Sequence, residues 1–244
     1  MVSDFVAANP SAVAPLLEGD SVHLWRLPYH RAHGRAPLRA LLAAYLGVEP
    51  DALLLRNDEY GKPRLVDPVD ANADKRNIKI RSAQEAMPKQ TTRDRTSETL
   101  RFSWSHGGDL ALAALARGVE PGVDVEPVRA SQRALELARR FFDPDEAQAL
   151  AACPEEERDA TFLRLWCAKE AVLKALGRGI AFGLERVAFA RHGTGWRPVR
   201  FVAEAGAAEA WQLCSLVPAA GYLGALAWRG PPRKVRAWRP LASD

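Results

Sequence analysis

Lysine is scarce in this 244-residue chain. Lys and Arg together number 34, but only seven are Lys (62, 75, 79, 89, 169, 174 and 234), so 34 − 7 = 27 are Arg. Cysteine is scarcer still. Cys153, Cys167 and Cys214 are odd in number, far apart and form no CxxC pair. That argues against a disulfide framework or a structural zinc site, and a reducing cytoplasm is the expected compartment. No apolar run approaches the ~18–20 residues of a membrane span. The N-terminus lacks the basic and then apolar stretch of a secretory signal. No membrane association is expected. The formal charge of +4 leaves room for an anionic partner but does not by itself call for nucleic acid. What remains is an ordinary globular composition, 48% hydrophobic and 26% charged, long enough for one large domain or two small ones.

Periodicity places the elements. Val22 to Leu27 reads as a strand. Arg35 to Leu46 carries Leu38, Leu41, Leu42, Tyr45 and Leu46 at helical spacing, with Gly47 as its C-cap. Asn57 to Pro63 is a polar turn. From about residue 68 to 100 the Ala/Leu/Arg texture vanishes. Three of the seven lysines and Thr91, Thr92, Thr96 and Thr99 lie there, and the segment reads as an exposed insertion, with a solvated hairpin as the other reading. Leu110 to Leu115 is an apolar run between Gly108 and Gly118, a buried strand. Val123 and Val125 alternate with Asp124 and Glu126 on the next strand. Ser131 is placed to cap a helix reaching Phe142, and Asp143-Pro144 offers a second helix start. Glu155 to Leu176 is the longest helical pattern, ended by Gly177 and Gly179. Strands are expected near 187–190, 200–203, 211–217 and 222–228. Leu110–Gly118 echoes Tyr222–Gly230: both are apolar strands ending in Arg-Gly.

Four constellations bear chemistry. Asp124 and Glu126 sit at i and i+2 of a strand and project to one side. Two carboxylates facing one way suit a hard divalent cation, though a solvated acidic face has the same pattern. Glu170 and Lys174 lie four apart at the edge of a stripe formed by Phe162, Leu165, Trp166, Leu173 and Leu176, and Lys169 falls inside it. An i,i+4 ion pair worth ~0.2–0.5 kcal/mol is one account. A helix presenting a carboxylate and two ammonium groups to a shared site is the other, since an ammonium among apolar groups needs an anion to meet it. Ser105 and His106 precede the Gly107-Gly108 turn, where an imidazole and free N–H groups could hold an anion. Glu59-Tyr-Gly-Lys-Pro63 is a turn in which Gly61 lets a ligand approach the backbone and Lys62 reaches a phosphate.

In order and spacing, Glu59–Pro63, Phe102–Gly108, Gly122–Glu126, Arg139–Glu146 and Phe162–Ile180 together resemble the 4′-phosphopantetheinyl transferase superfamily, most closely its larger pseudo-dimeric type. The resemblance runs clearly from about Arg35 to Gly179 and more loosely through the β-rich tail. It implies an α+β fold of two similar α/β subdomains related by a pseudo-twofold, with the active site in the cleft between them. The division would fall at 1–120, carrying the 68–100 insertion, and 121–244, carrying the metal and catalytic motifs. It further implies transfer of the phosphopantetheine arm of coenzyme A to a serine of an apo acyl or peptidyl carrier protein, releasing 3′,5′-ADP, by a monomer. The carrier would present an acidic helix at the acceptor serine.

Position by position, the resemblance implies that Asp124, Glu126 and Glu170 hold Mg²⁺ (or Mn²⁺) against the pyrophosphate. Glu170 would also be general base on the acceptor serine. Lys174, with Lys169 beside it, would neutralise the pyrophosphate. Ser105, His106 and Arg35 would meet the 3′-phosphate, and Tyr60, Gly61, Lys62 and Pro63 would line the adenine. The chain departs from the family in a short stretch between Trp25 and His33-Gly-Arg35, in Ala36-Pro37 where a hydroxyl or larger residue is common, and in the length of 68–100. The rival readings are a Mg²⁺-dependent phosphohydrolase or nuclease using the same carboxylates, and a non-catalytic homologue that binds carrier protein or coenzyme A.

Overall fold

The structure is a computed structural model that describes residues 1–66, 99–129 and 133–241. The expected 68–100 insertion, apart from Thr99 and Leu100, and the Ser131 cap lie outside the described residues. Helices and sheets are mixed along the chain. Strands β1 (Val6–Ala8) and β2 (Ser21–Pro28) flank a helical turn, α1 (Pro10–Val13). Helix α2 (Ala36–Leu46) and a small hairpin, β3 (Leu55–Asn57) and β4 (Pro63–Leu65), follow. Next come β5 (Leu100–Gly107), β6 (Leu110–Arg117) and β7 (Gly122–Pro127). Three helices, α3 (Ala134–Phe141), α4 (Pro144–Ala151) and α5 (Glu155–Leu176), lead to the hairpin β8 (Val187–His192) and β9 (Gly195–Phe201). Strands β10 (Trp211–Leu216), β11 (Tyr222–Arg229) and β12 (Lys234–Pro240) close the chain.

The topology repeats. In the first sheet β2, β6 and β5 are neighbours in that order, and both pairings are antiparallel. In the second, β7, β11 and β10 stand in the corresponding order, again antiparallel. Each set runs strand, helix, two-stranded hairpin, then a final strand pair. The two sequence-echo segments are β6 and β11, the central strands of their sets. The first sheet is extended by β12, which pairs parallel with β2, and by β1, parallel with β12. Neither of those strands was expected from the sequence.

Three apolar layers hold the molecule. One lies under α2, where Leu38, Leu41 and Leu42 meet Trp25, Phe102 and Leu115. A second fills the space between the two sheets with Val22, Leu24, Leu112, Val123, Val125, Leu226 and Trp228. The third surrounds α5 and includes Phe142, Phe162, Leu165, Val172, Phe189 and Trp211. The sequence stripe anticipated one apolar face for α5. From Leu165 to Ala175 the helix is instead buried nearly all round, with Trp166 and Lys174 its half-exposed members. A helix segment enclosed this way has no polar face to leave in water, and its three charged residues each meet a neighbour or a cavity: Lys169 pairs with Glu146, Lys174 with Asp124, and Glu170 lines the cavity.

Local signals fix the helix ends. Gly47 adopts φ 65° at the end of α2 and Gly177 φ 72° at the end of α5, the left-handed conformation that glycine tolerates best. At α4, the Asp143 side chain accepts from the Asp145 N–H (3.0 Å), and the Glu146 side chain accepts from the Asp143 N–H (2.9 Å). This reciprocal cap confirms the second helix start.

Candidate active site

The two sheets meet edge to edge along β5 and β7 without a main-chain ladder. Side chains make the seam. The Val123 N–H donates to Ser103 Oγ at 3.0 Å, and the Ser105 hydroxyl donates to Asp124 Oδ1 at 2.8 Å. Helix α5 packs over the seam closely enough that a Cβ added to Gly122 would lie 1.9 Å from the Ala171 carbonyl oxygen. Only glycine at 122 permits that approach. It brings Glu170 and Lys174 of α5 to Asp124 and Glu126 of β7, residues some 50 positions apart in sequence.

Lys174 Nζ lies 2.6 Å from Asp124 Oδ1 and donates to Ser105 Oγ at 2.9 Å, which closes a triangle of ammonium, hydroxyl and carboxylate. Burial pulls the Lys174 ammonium down, but the Asp124 charge and hydrogen bond more than offset it and leave it raised. Burial, and then the neighbouring Asp124 charge, raise both Glu126 and Glu170, the latter to about 7. Asp124 Oδ2 and Glu170 Oε1 are buried and have no hydrogen-bond partner among the described residues. Unmet carboxylate oxygens are the donor type that a hard divalent cation takes. Among the described residues, no three acidic, imidazole or thiol groups already stand close enough to chelate an ion. The Lys174 ammonium supplies positive charge at Asp124 Oδ1 instead.

Beside this centre lies a cavity of about 300 Å³ lined by Arg35, Tyr60, Gly61, Lys62, Pro63, Trp104, Glu170, Lys174 and Ile180, among others. It gathers Arg35, the 60–63 turn and the 170–174 helix segment from three separate regions of sequence. Arg35 stands at the start of α2 and donates to Asn57 Oδ1 at 2.8 Å. His106 is exposed and stacks on Tyr29, with ring centroids 4.1 Å apart. Burial, then the charges of Lys174 and Arg35, hold its imidazole below the ordinary value. The two cations give this side of the centre a positive potential.

Two lysines are placed differently from the sequence reading. Lys62 keeps its main chain on the cavity wall, but its ammonium donates to Glu120 Oε2 (3.0 Å) and to the Lys174 carbonyl (2.8 Å). Lys169 points away from Lys174. Its ammonium meets Glu146 Oε2 at 2.7 Å and donates to the carbonyls of Leu184 (2.8 Å) and Val187 (2.6 Å). All three of its N–H donors are thereby used inside the core. Adjacent positions on a helix are 100° apart, so Lys169 and Glu170 cannot both face the cavity. The anion that a lysine among apolar groups requires is Glu146, 23 residues earlier.

Sequence reasoning missed Tyr29, Glu120 and Arg178. The Arg178 guanidinium lies over the Tyr60 ring at 4.8 Å from its centroid. Each is a single residue in a loop or at an element end, where no periodicity marks it; Arg178 lies within the Phe162–Ile180 motif but was assigned no role there.

Residues 120–227 match the family model of the 4′-phosphopantetheinyl transferase superfamily. The chain is 32% identical over 254 aligned residues to the 4′-phosphopantetheinyl transferase HetI of Nostoc sp. (strain PCC 7120), covering 91% of this chain and 93% of that protein. It is 25% identical to the 4′-phosphopantetheinyl transferase Sfp of Bacillus subtilis (strain 168), over 68% of this chain and 63% of that one. An 83-residue stretch is 40% identical to the 4′-phosphopantetheinyl transferase psf-1 of Bacillus pumilus, about a third of each chain. Among the described residues no helix is long and apolar enough to cross a membrane.

Proposed function

The chain belongs to the 4′-phosphopantetheinyl transferase superfamily and is a phosphopantetheinyl transferase, and we propose that it moves the phosphopantetheine arm of coenzyme A to a carrier-protein serine at the β5–β7–α5 seam. The observation that carries this reading is the convergence of Asp124, Glu170, Lys174 and Ser105 beside a cavity walled by Arg35 and Tyr60–Pro63. The repeated order of β2–β6–β5 and β7–β11–β10 supports two halves related by a pseudo-twofold, with the cleft between them.

Asp124, Glu126 and Glu170 would hold Mg²⁺ or Mn²⁺, which would supply a Lewis acid for the pyrophosphate oxygens. Glu170 is positioned to take the proton from the attacking serine hydroxyl. Burial and its acidic neighbours make that carboxylate more basic than an ordinary one. Lys174 sits where negative charge develops on the departing nucleotide, and Ser105 holds its ammonium in place. His106 and Arg35 form the basin for the 3′-phosphate, and the 60–63 main chain borders the adenine. Lys169 takes no part in this proposal, because its donors are spent in the core.

Glu170→Gln keeps the shape and removes the base. Turnover is expected to fall by about 10²–10⁴-fold, measured as carrier loading with Mg²⁺ saturating. Chelation of divalent ions should stop wild-type loading, and added Mg²⁺ should restore it. Full activity of Glu170→Gln would remove Glu170 from the reaction. Release of inorganic phosphate without carrier modification would favour a phosphohydrolase.

A further inference from the structure

Glu120 lies in the crossover between β6 and β7, the link from the first half of the chain to the second. Its carboxylate meets three cations from three places: Lys62 in the β3–β4 turn (3.0 Å), Arg64 on β4 (3.3 Å) and Arg101 on β5 (3.2 Å). Asp58 holds the same turn from its other side. Asp58 Oδ1 accepts from the N–H groups of Tyr60 (3.1 Å) and Lys62 (2.9 Å), and Oδ2 pairs with Arg64 at 2.9 Å.

We propose that Glu120 is a positioning residue that fixes the Tyr60–Pro63 wall against the end of α5 and so sets the affinity for coenzyme A, a role that rests on the transferase reading above. The tether is continuous. The Glu120 carboxylate holds the Lys62 ammonium, which donates to the carbonyl of Lys174. Lys174 in turn extends its own ammonium to Asp124 and Ser105. One chain of charge-assisted hydrogen bonds therefore runs from the inter-half crossover, through the turn that walls the cavity, to the acidic centre. Gly61 has φ 84°, and a Cβ added there would meet nothing within 4 Å, so the turn itself brings little packing to hold its place. Without the Glu120 charge, Lys62, Arg64 and Arg101 repel one another across the turn. Burial already works against the Lys62 ammonium, and the Glu120 charge is what chiefly opposes that loss. The acidic centre does not contact Glu120 directly, so the chemical step should be spared while nucleotide binding weakens.

Saturation curves for coenzyme A, with a fixed apo-carrier protein, test this in the wild type, Glu120→Gln, Glu120→Asp, Lys62→Met and the Glu120→Gln/Lys62→Met pair. Glu120→Gln is expected to raise KM for coenzyme A about three- to tenfold, with kcat held within about twofold. Glu120→Asp should recover part of that loss, because it keeps the charge. The double variant should be no worse than the weaker single one, since both changes cut the same tether. An unchanged KM in Glu120→Gln, or a fall in kcat equal to the fall in kcat/KM, overturns the proposal. If Glu120→Gln does not fold, an unchanged KM in Glu120→Asp overturns it equally. A wild type that loads no carrier defeats the transferase reading; a wild type that loads while the Glu120 variants keep its KM defeats this inference alone.

Discussion

Lys169→Met replaces the buried ammonium with an unbranched apolar chain that keeps much of its length. In the wild type that ammonium serves three acceptors, Glu146 Oε2 and the carbonyls of Leu184 and Val187, and neither charged side chain is appreciably exposed. Glu146 is equally committed: its oxygens also accept from the N–H groups of Asp143 (2.9 Å) and Phe189 (2.7 Å). The pair thus ties α5 to the start of α4 and to β8. Burial pushes the Glu146 carboxyl up and the Lys169 ammonium down, so each charge is costly to bury without its partner. Removing one member leaves a stranded carboxylate and two unserved carbonyls, and is expected to cost about 3–5 kcal/mol. For a chain of this size each kcal/mol moves Tm by about 2–4 °C, so a fall of roughly 6–20 °C is expected. Glu146→Gln should be similarly costly, because its NH₂ group must face an N–H donor or the ammonium. Glu146→Leu/Lys169→Met removes both charges but leaves the Asp143 and Phe189 N–H groups unmet. Its cost should fall at least ~1 kcal/mol short of the two single changes added together. Thermal and urea melts of the wild type, Lys169→Met, Glu146→Leu and the double variant supply the cycle. A Lys169→Met protein melting within about 2 °C of the wild type, or strictly additive effects, would refute the reasoning.

Two other perturbations follow from the packing. The His23 imidazole is buried, bonded to the Tyr45 hydroxyl at 2.6 Å, and lowered by burial from 6.5 to about 4. Between those two values the unfolded chain binds a proton that the folded imidazole refuses, so stability falls as pH drops through that window, by at most about 3 kcal/mol. In urea melts across pH 4 to 7 the wild type should lose more stability than His23→Gln as pH falls, the opposite contribution of the raised Glu170 being common to both; equal slopes would contradict it. Gly122→Ala puts a methyl 1.9 Å from the Ala171 carbonyl and 2.5 Å from the Ala175 nitrogen. Strand β7 must then lift off α5, which is expected to cost about 3 kcal/mol or more and to part Asp124 from Lys174. A variant of wild-type stability and activity would show that the seam is looser than described.

Much of the fold was legible because periodicity reports which face is buried. The 36–46 helix, the 110–117 strand and the long 155–176 helix came through, as did the strand that projects Asp124 and Glu126 together. The short strands did not. β1, β3 and β4 have three residues each, too few for alternation to register, and β12 is polar enough to read as a tail. Of the strand expected at 200–203, Arg200 and Phe201 end β9, which begins at Gly195, and Ala203 opens a helical turn. Arg35, the 60–63 turn, Ser105, Asp124, Glu170 and Lys174, named from separate motifs, stand close together in the fold. The direction of single side chains was harder to read. Lys169 and Lys174 look alike in sequence, and only the position of Glu146 shows that one belongs to the core and the other to the cleft. The scarcity of lysine was a fair guide: Lys62, Lys169 and Lys174 all hold fixed partners, and of the three Lys174 is the one whose ammonium meets Asp124 and Ser105.

The central claim is transfer of phosphopantetheine to a carrier serine, and the most direct measurement is the intact mass of an apo-carrier protein after incubation with this protein, coenzyme A and Mg²⁺. The account predicts a carrier heavier by one phosphopantetheine group on its acceptor serine, with 3′,5′-ADP formed in equal amount. It also predicts no gain in mass when that serine is replaced by alanine. An unmodified carrier across a panel drawn from fatty-acid, polyketide, nonribosomal-peptide and lysine pathways, with coenzyme A left intact or merely hydrolysed, would contradict it.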